Sequence, residues 1–195
     1  MRIDVTQEAP PDVVAYASIP IAFEVQSVAR VTPATHGLKR FEISTERVAT
    51  PYVKDYDVDG NGPLSWPSRF DITRWAFFVA RQGERRVGGA VGIINAPDVE
   101  MLAGRPDVAL LWDIRVAPDA RHAGVGAALM DAVEAWARSH GAAWLEVETQ
   151  DVNVPACRFY ARHGFALHAA NRDAYPALPN ETQLLWYKRP FSAAG

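Results

Sequence analysis

Residues Asp113-Ile-Arg-Val-Ala-Pro-Asp-Ala-Arg-His-Ala-Gly-Val-Gly-Ala-Ala128 decide how this chain is read. Leading into them, Leu110, Trp112, Ile114 and Val116 alternate as the apolar face of a half-buried strand does, and Pro118 ends the alternation. The turn Arg121-His122-Ala123-Gly124-Val125-Gly126-Ala127 then opens a long amphipathic stretch. The first amides of a helix have no intrahelical partner, and the macrodipole places about half a positive charge there. Gly124 and Gly126 let the backbone come close to a bulky anion, and Arg121 can add a charge-assisted contact. The same two glycines also suit a plain tight turn.

Two other phosphate-binding patterns do not match. A P-loop needs Gly-Lys-Ser/Thr, whereas Gly126 is followed by Ala127 and Ala128. A dinucleotide fingerprint needs a third glycine where Leu129 stands, although Glu146 and Glu148 lie near the distance of its acidic residue.

Outward from the turn, Val125, Leu129, Val133 and Trp136 fall on one face of a helix from Gly124 to His140, with Asp131, Glu134 and Arg138 facing away and Gly141 as its stop. Residues 143 to 149 predict a strand, 153 to 163 a short helix, and 165 to 171 and 183 to 188 two further strands. Upstream, Trp75 to Ala80 and Val87 to Ile94 predict a hairpin around Arg81-Gln-Gly-Glu-Arg85, with Val108 to Val116 pairing next. Phe23, Val25 and Val28 suggest a strand. Leu38 to Val53 predicts a helical stretch interrupted at Pro51, followed by a polar loop from Asp55 to Gly62, and residues 1 to 19 read as a loose or edge segment. The expected fold is α/β, a central mixed sheet of six to seven strands with helices on both faces. The strand ending at Val116 and the one starting at Ala143 should run parallel through a right-handed crossover.

Val116-Ala-Pro118, Arg121-x-x-Gly124-x-Gly126, the helix stop at Gly141, the strand through Leu145 and Val147, and Asn153-x-x-Ala156-x-x-x-Tyr160-x-x-x-Gly164-Phe165 together resemble the GNAT superfamily of N-acetyltransferases. The pattern covers roughly residues 74 to 188, an acetyl-CoA-binding core within a single 195-residue domain. Within that likeness, Glu148 to Phe165, Asn171-Arg-Asp-Ala-Tyr175 and Leu184-Leu-Trp-Tyr-Lys188 resemble the streptothricin acetyltransferases. The resemblance implies acetyl-CoA as donor and a small cationic amine as acceptor. It implies that the main chain of Ile114, Arg115 and Val116 holds pantetheine by strand addition, and that the amides from Arg121 to Ala127 hold the pyrophosphate. His122 departs from the glycine common at its position. Asn153 corresponds to a pantetheine contact and would equally serve as a helix N-cap. Other acceptors of the same fold, a protein amino terminus or lysine, and a noncatalytic acyl-CoA sensor are the alternatives.

Tyr160 matches the family tyrosine that protonates the departing thiolate, a role suited to a phenol with a pKa of about 10; by spacing it also suits the core. A lysine-like amine is neutral in only about one molecule in 2,500 at pH 7, so a base is required. Glu148 is the preferred one, with Asp113 and Glu146 as alternatives. Arg115, on the face of Asp113, would pair with one of these acids in a purely structural role. The substrate walls are expected from the segments around Tyr52 to Trp66 and Arg172 to Asn180, with Tyr56, Trp66 and Tyr175 as lining aromatics.

No metal site is expected. Asp55-x-Asp57-x-Asp59-Gly60 opens like a calcium loop, but its twelfth position is Trp66. The five histidines show no ligand spacing. Cys157, the single cysteine, reads as a small core residue and excludes an intrachain disulfide. With 49% apolar residues the chain can bury a sizeable core, and a net charge of −3 gives no footprint for nucleic acid. No stretch approaches the about 20 apolar residues of a membrane span, and the amino-terminal residues lack a secretory apolar run. A cytoplasmic enzyme, possible as a homodimer, is expected.

Overall fold

The computed structural model describes residues 2–35 and 40–189. Seven strands form a mixed sheet flanked by helices, as expected, and two more form a separate ribbon. The chain divides into two compact units, residues 1–22, 55–145 and 189–195 in one and residues 23–54 and 146–188 in the other.

The first unit contains β1 (Asp4–Glu8), α1 (Val13–Ala17), α2 (Trp66–Arg69), β4 (Ala76–Gln82), β5 (Arg85–Ile94), β6 (Val108–Val116) and α3 (Val125–Ser139). Strands β1, β4, β5 and β6 pair antiparallel in that order. The hairpin between β4 and β5 turns at Gly83, whose φ of +62° suits a residue without Cβ. Glycines on β5 let helices sit close on both faces. A Cβ at Gly88 would lie 2.8 Å from Val125 Cγ1, and one at Gly92 2.6 Å from Trp136 Cζ3, so α3 covers that face. A Cβ at Gly89, pointing the other way, would run into the ring of Tyr16 on α1.

Helix α3 matches the expected span: Val125, Leu129, Val133 and Trp136 are buried, and Gly141 follows the helix with φ +77°. The opposite face carries an aromatic cluster in which Trp66 lies 5.8 Å from Trp75 and Trp75 lies 5.3 Å from Trp112 between ring centroids. Of the two readings of the amino-terminal segment, the structure gives the edge one for Asp4–Glu8. β1 is the edge strand on β4, and Tyr16 of α1 is 1% exposed inside the aromatic cluster.

The second unit contains β2 (Phe23–Pro33), β3 (Phe41–Lys54), α4 (Val154–Arg162), β8 (Ala166–Asn171) and β9 (Gln183–Lys188), and most of β7 (Trp144–Gln150), whose first two residues belong to the first unit. β8 and β9 pair antiparallel. The predicted helix over residues 38 to 53 is instead strand β3, paired antiparallel with β2; its first two residues, 38 and 39, lie outside the described residues. Pro51 is accommodated because Val25 pairs with Tyr52 and Ser27 with Arg47, so residues 48–51 form an irregularity where no ladder donor is required. The buried residues of this unit include Val25, Ala29, Val147, Val154, Tyr160, Leu184 and Trp186.

Candidate active site

In the first unit, β6 carries a bulge that the sequence pattern does not announce. Val91 pairs with Asp113 and Gly92 with Leu111, leaving Trp112 as an extra residue. The expected single face of Leu110, Trp112, Ile114 and Val116 is therefore split. Ile114 and Val116 pair with Ala90 and Gly88 on the α3 face, while Asp113 and Arg115 turn to the side of Tyr16.

Arg115 is 2% exposed. Its Nε and Nη2 donate to Asp113 at 2.9 and 2.8 Å, its Nη1 and Nη2 donate to Asp57 at 2.8 and 3.1 Å, and Nη1 also donates to the Ile19 carbonyl. Tyr16 Oη donates to Asp113 at 2.5 Å. Burial opposes the guanidinium charge, but the bonds and charges of Asp113 and Asp57 outweigh it and keep the pKa above the ordinary arginine value. Burial, then the Asp113 charge, pushes the Tyr16 phenol well above its ordinary value, so it serves as a neutral donor. Asp113, with three donors on its carboxylate, is structurally committed, in keeping with the ion-pair role foreseen for Arg115. Asp57, noticed in sequence for its likeness to a calcium loop, is bound to an arginine instead. Among the described residues no group of three or more His, Cys, Asp and Glu could hold a metal ion.

The turn before α3 has the form an anion site needs. His122 has φ +64° and Gly124 φ +86°, which explains why glycine suits the position His122 occupies. Val125, Gly126 and Ala127 are the first helical residues, whose amides find no partner within the helix, and no acid stands in that first turn. Arg121 is placed differently from expectation. Its Nε donates to the Val116 carbonyl at 3.1 Å and its Nη2 to the Ala22 carbonyl at 2.9 Å, while its amide closes onto Pro118. The guanidinium thus braces the turn, bound to two backbone carbonyls.

In the second unit, Asn153 caps α4, its Oδ1 accepting from the Ala156 amide at 3.1 Å. Tyr160, 5% exposed, meets Phe159 edge-to-face at 5.6 Å and Phe165 at a tilt at 5.7 Å between ring centroids. Cys157 is a buried free thiol whose pKa is pushed up to about 12 by burial and by the Asp151 charge. It is not a thiolate nucleophile. Glu148 on β7 is half-buried and held by two donors, Tyr175 Oη at 2.5 Å and Gln183 Nε2 at 2.7 Å. Gln150 in turn donates to Tyr175 at 3.0 Å. Glu146 is more deeply buried at 4% exposure. Of the aromatics expected to wall the substrate, Tyr175 reaches the candidate base, whereas Trp66 is core at 3% exposure, its Nε1 donating to the Asn61 carbonyl. Gln183 was not foreseen as a partner of Glu148.

Comparison with known proteins identifies the family. Residues 48–165 match the acetyltransferase (GNAT) family. Streptothricin acetyltransferase A of Bacillus subtilis (strain 168) is 43% identical over 144 residues, covering 73% of this chain and 76% of that protein. A streptothricin acetyltransferase of Escherichia coli is 32% identical over 150 residues, covering 75% of each. Among solved structures, nourseothricin acetyltransferase superposes with a TM-score of 0.75 at 26% identity, covering 98% of this chain and 100% of its own. A candidate streptothricin acetyltransferase of Bacillus anthracis str. Ames, solved with acetyl coenzyme A, superposes with a TM-score of 0.78 at 22% identity over 96% and 99% of the two chains and shares the fold.

Proposed function

Because the chain belongs to the GNAT family and is an acetyl-CoA-dependent N-acetyltransferase, we propose that it acetylates a primary amine of a small cationic antibiotic of the streptothricin type, giving resistance in the cytoplasm. The carrying observation is the 43% identity to the Bacillus subtilis streptothricin enzyme over 73% of the chain. We take residues 1–195 to work as a single catalytic domain.

Acetyl-CoA supplies an activated acetyl thioester. In this reading the main chain of Ile114, Arg115 and Val116 adds the pantetheine as a strand, and the amides of His122, Ala123, Gly124, Val125, Gly126 and Ala127 hold the pyrophosphate, with Arg121 bracing the turn. Asn153 keeps its cap and contributes to pantetheine binding. Glu148 accepts the amine proton, directly or through water. Its two donors orient the carboxylate, while the commitment of Asp113 to Arg115 and Tyr16 argues against Asp113 in that role. The neutral amine attacks the thioester carbonyl directly, the C–S bond breaks, Tyr160 gives its proton to the departing thiolate, and the proton lost by the new amide nitrogen returns to the Tyr160 phenolate, directly or through water.

The test is CoA release from acetyl-CoA by purified protein, with streptothricin, lysine, spermidine and an amino-terminal peptide as separate acceptors. Streptothricin-dependent release is expected, reduced about a hundredfold or more in Tyr160→Phe with CoA affinity kept. Release that ignores streptothricin, or that survives Tyr160→Phe, overturns the reading.

A further inference from the structure

The second unit holds a cavity of about 670 Å³, a size that suits a small organic molecule. It is lined by β2 and β3 and by the segment between β8 and β9, with Val28, Arg47, Tyr52, Val152, Leu178 and Glu181 among its walls. Apolar surface and ionic groups are mixed there. Two of the charges are already neutralised, because Arg30 Nε lies 2.6 Å from Glu46 at the rim.

Glu181 is the unusual member. It is 9% exposed, and Lys54 Nζ meets its Oε1 at 2.6 Å. Its other oxygen, Oε2, is buried without a hydrogen-bond donor among the described residues. A buried carboxylate oxygen costs about 1–3 kcal/mol or more when it accepts nothing, so its presence on a cavity wall calls for an explanation. The neighbourhood is negative on this side: burial, Glu181 and Asp151 together raise the Tyr52 phenol above its ordinary pKa.

The segment that walls the cavity also anchors the proposed base. Tyr175 donates to Glu148, Leu178 N donates to the Tyr175 carbonyl at 2.9 Å, and Glu181 N donates to the Leu178 carbonyl at 3.0 Å. Thr182 N then bonds the buried Asp151 at 3.0 Å. One ordered run of chain therefore carries the support of the base at one end and the orphaned carboxylate oxygen at the other.

We propose that this cavity is a subsite for the body of the amine acceptor, away from its reacting nitrogen, where the charge of the Glu181 carboxylate attracts a guanidinium or amide N–H and Tyr52 packs against the same group. The proposal rests on the acetyltransferase reading and adds to it where specificity between long and short amines arises. A lysine offers the reacting amine without a body to fill the cavity; a streptothricin offers both.

The experiment measures kcat/KM for streptothricin and for lysine, together with streptothricin affinity by calorimetry in the presence of CoA, for the wild-type protein, Glu181→Gln and Ala177→Phe. Ala177 is an exposed wall residue, so its enlargement fills the cavity without disturbing the core. The expected result is a fall of about tenfold or more in the streptothricin-to-lysine ratio of kcat/KM and in streptothricin affinity for both variants, at unchanged KM for acetyl-CoA. Streptothricin that binds the wild type, weakens in both variants and is not acetylated would keep the subsite and sink the functional reading. Acetylation with unchanged ratio and affinity in Ala177→Phe overturns the subsite and keeps the function. No binding to the wild type overturns both.

Discussion

Arg115 is a charged side chain placed where water cannot reach it, and its stability depends on two carboxylates, Asp113, two residues away on its own strand, and Asp57, 58 residues away. Removing the guanidinium strands Asp113 and Asp57 together. Arg115→Met should therefore lower unfolding stability by about 3–5 kcal/mol in denaturant titration, whereas Asp57→Asn, at a more exposed partner, should cost only about 1 kcal/mol. Equal losses would show that the network is not organised around the arginine. At Cys157, a thiol pushed up to about 12 should resist alkylation at pH 8 in the native protein and react readily in denaturant. The Asp113–Arg115 pair was readable in sequence because two residues of spacing on a strand share a face. Asp57 and Tyr16 were not, since they stand 58 and 97 residues from their partners in the network.

At the scale of elements, the turn before α3 and the edge strand give the clearest expectations. His122 holds a left-handed conformation that glycine adopts at little cost, so His122→Gly should raise stability by about 0.5 kcal/mol, the relief of strain being partly offset by unfolded-state entropy. Asn153→Ala should cost about 1 kcal/mol through loss of the cap, read as a lower melting temperature even without cofactor. On β1, burial raises the Glu8 carboxyl, but hydrogen bonds from Arg86 and Arg81 outweigh it and hold its pKa below the ordinary 4.5. A depressed folded pKa gives stability that is complete above that ordinary value and is lost as pH falls through the folded pKa. Melting curves of wild type and Glu8→Gln should differ at pH 7 and converge as the pH falls through the folded pKa, below 4.5; a constant difference would remove the pair from the explanation.

The element most misread was β3. Its residues are nearly all exposed, so no buried alternation marks it, and only pairing with β2 makes it a strand. The helix α3 was legible for the opposite reason: six of its residues are buried on one stripe, and the stripe is written in the sequence at helical intervals.

At the scale of the whole molecule, close packing on β5 sets a strict limit on side-chain volume. A Cβ at Gly92 meets the buried Trp136 ring at 2.6 Å, and Trp136 is held by Phe78 at a 6.2 Å centroid separation. Gly92→Ala should cost about 1–3 kcal/mol through overpacking, and pairing it with a smaller residue at Trp136 should recover part of that loss. Among the described residues no helix is long and apolar enough to cross a membrane. The sequence by itself determined the strand, turn and helix from Val108 to Ser139, the later strands, the α4 cap and the family likeness. Each follows from local periodicity, from turn chemistry or from a short motif. Tertiary structure alone decided the bulge at Trp112, the Tyr16–Asp113–Arg115–Asp57 network, the bracing role of Arg121 and the cavity beside Glu181. Those depend on which distant residues meet once the apolar faces are buried, and a meeting across many tens of residues leaves no local periodicity to read.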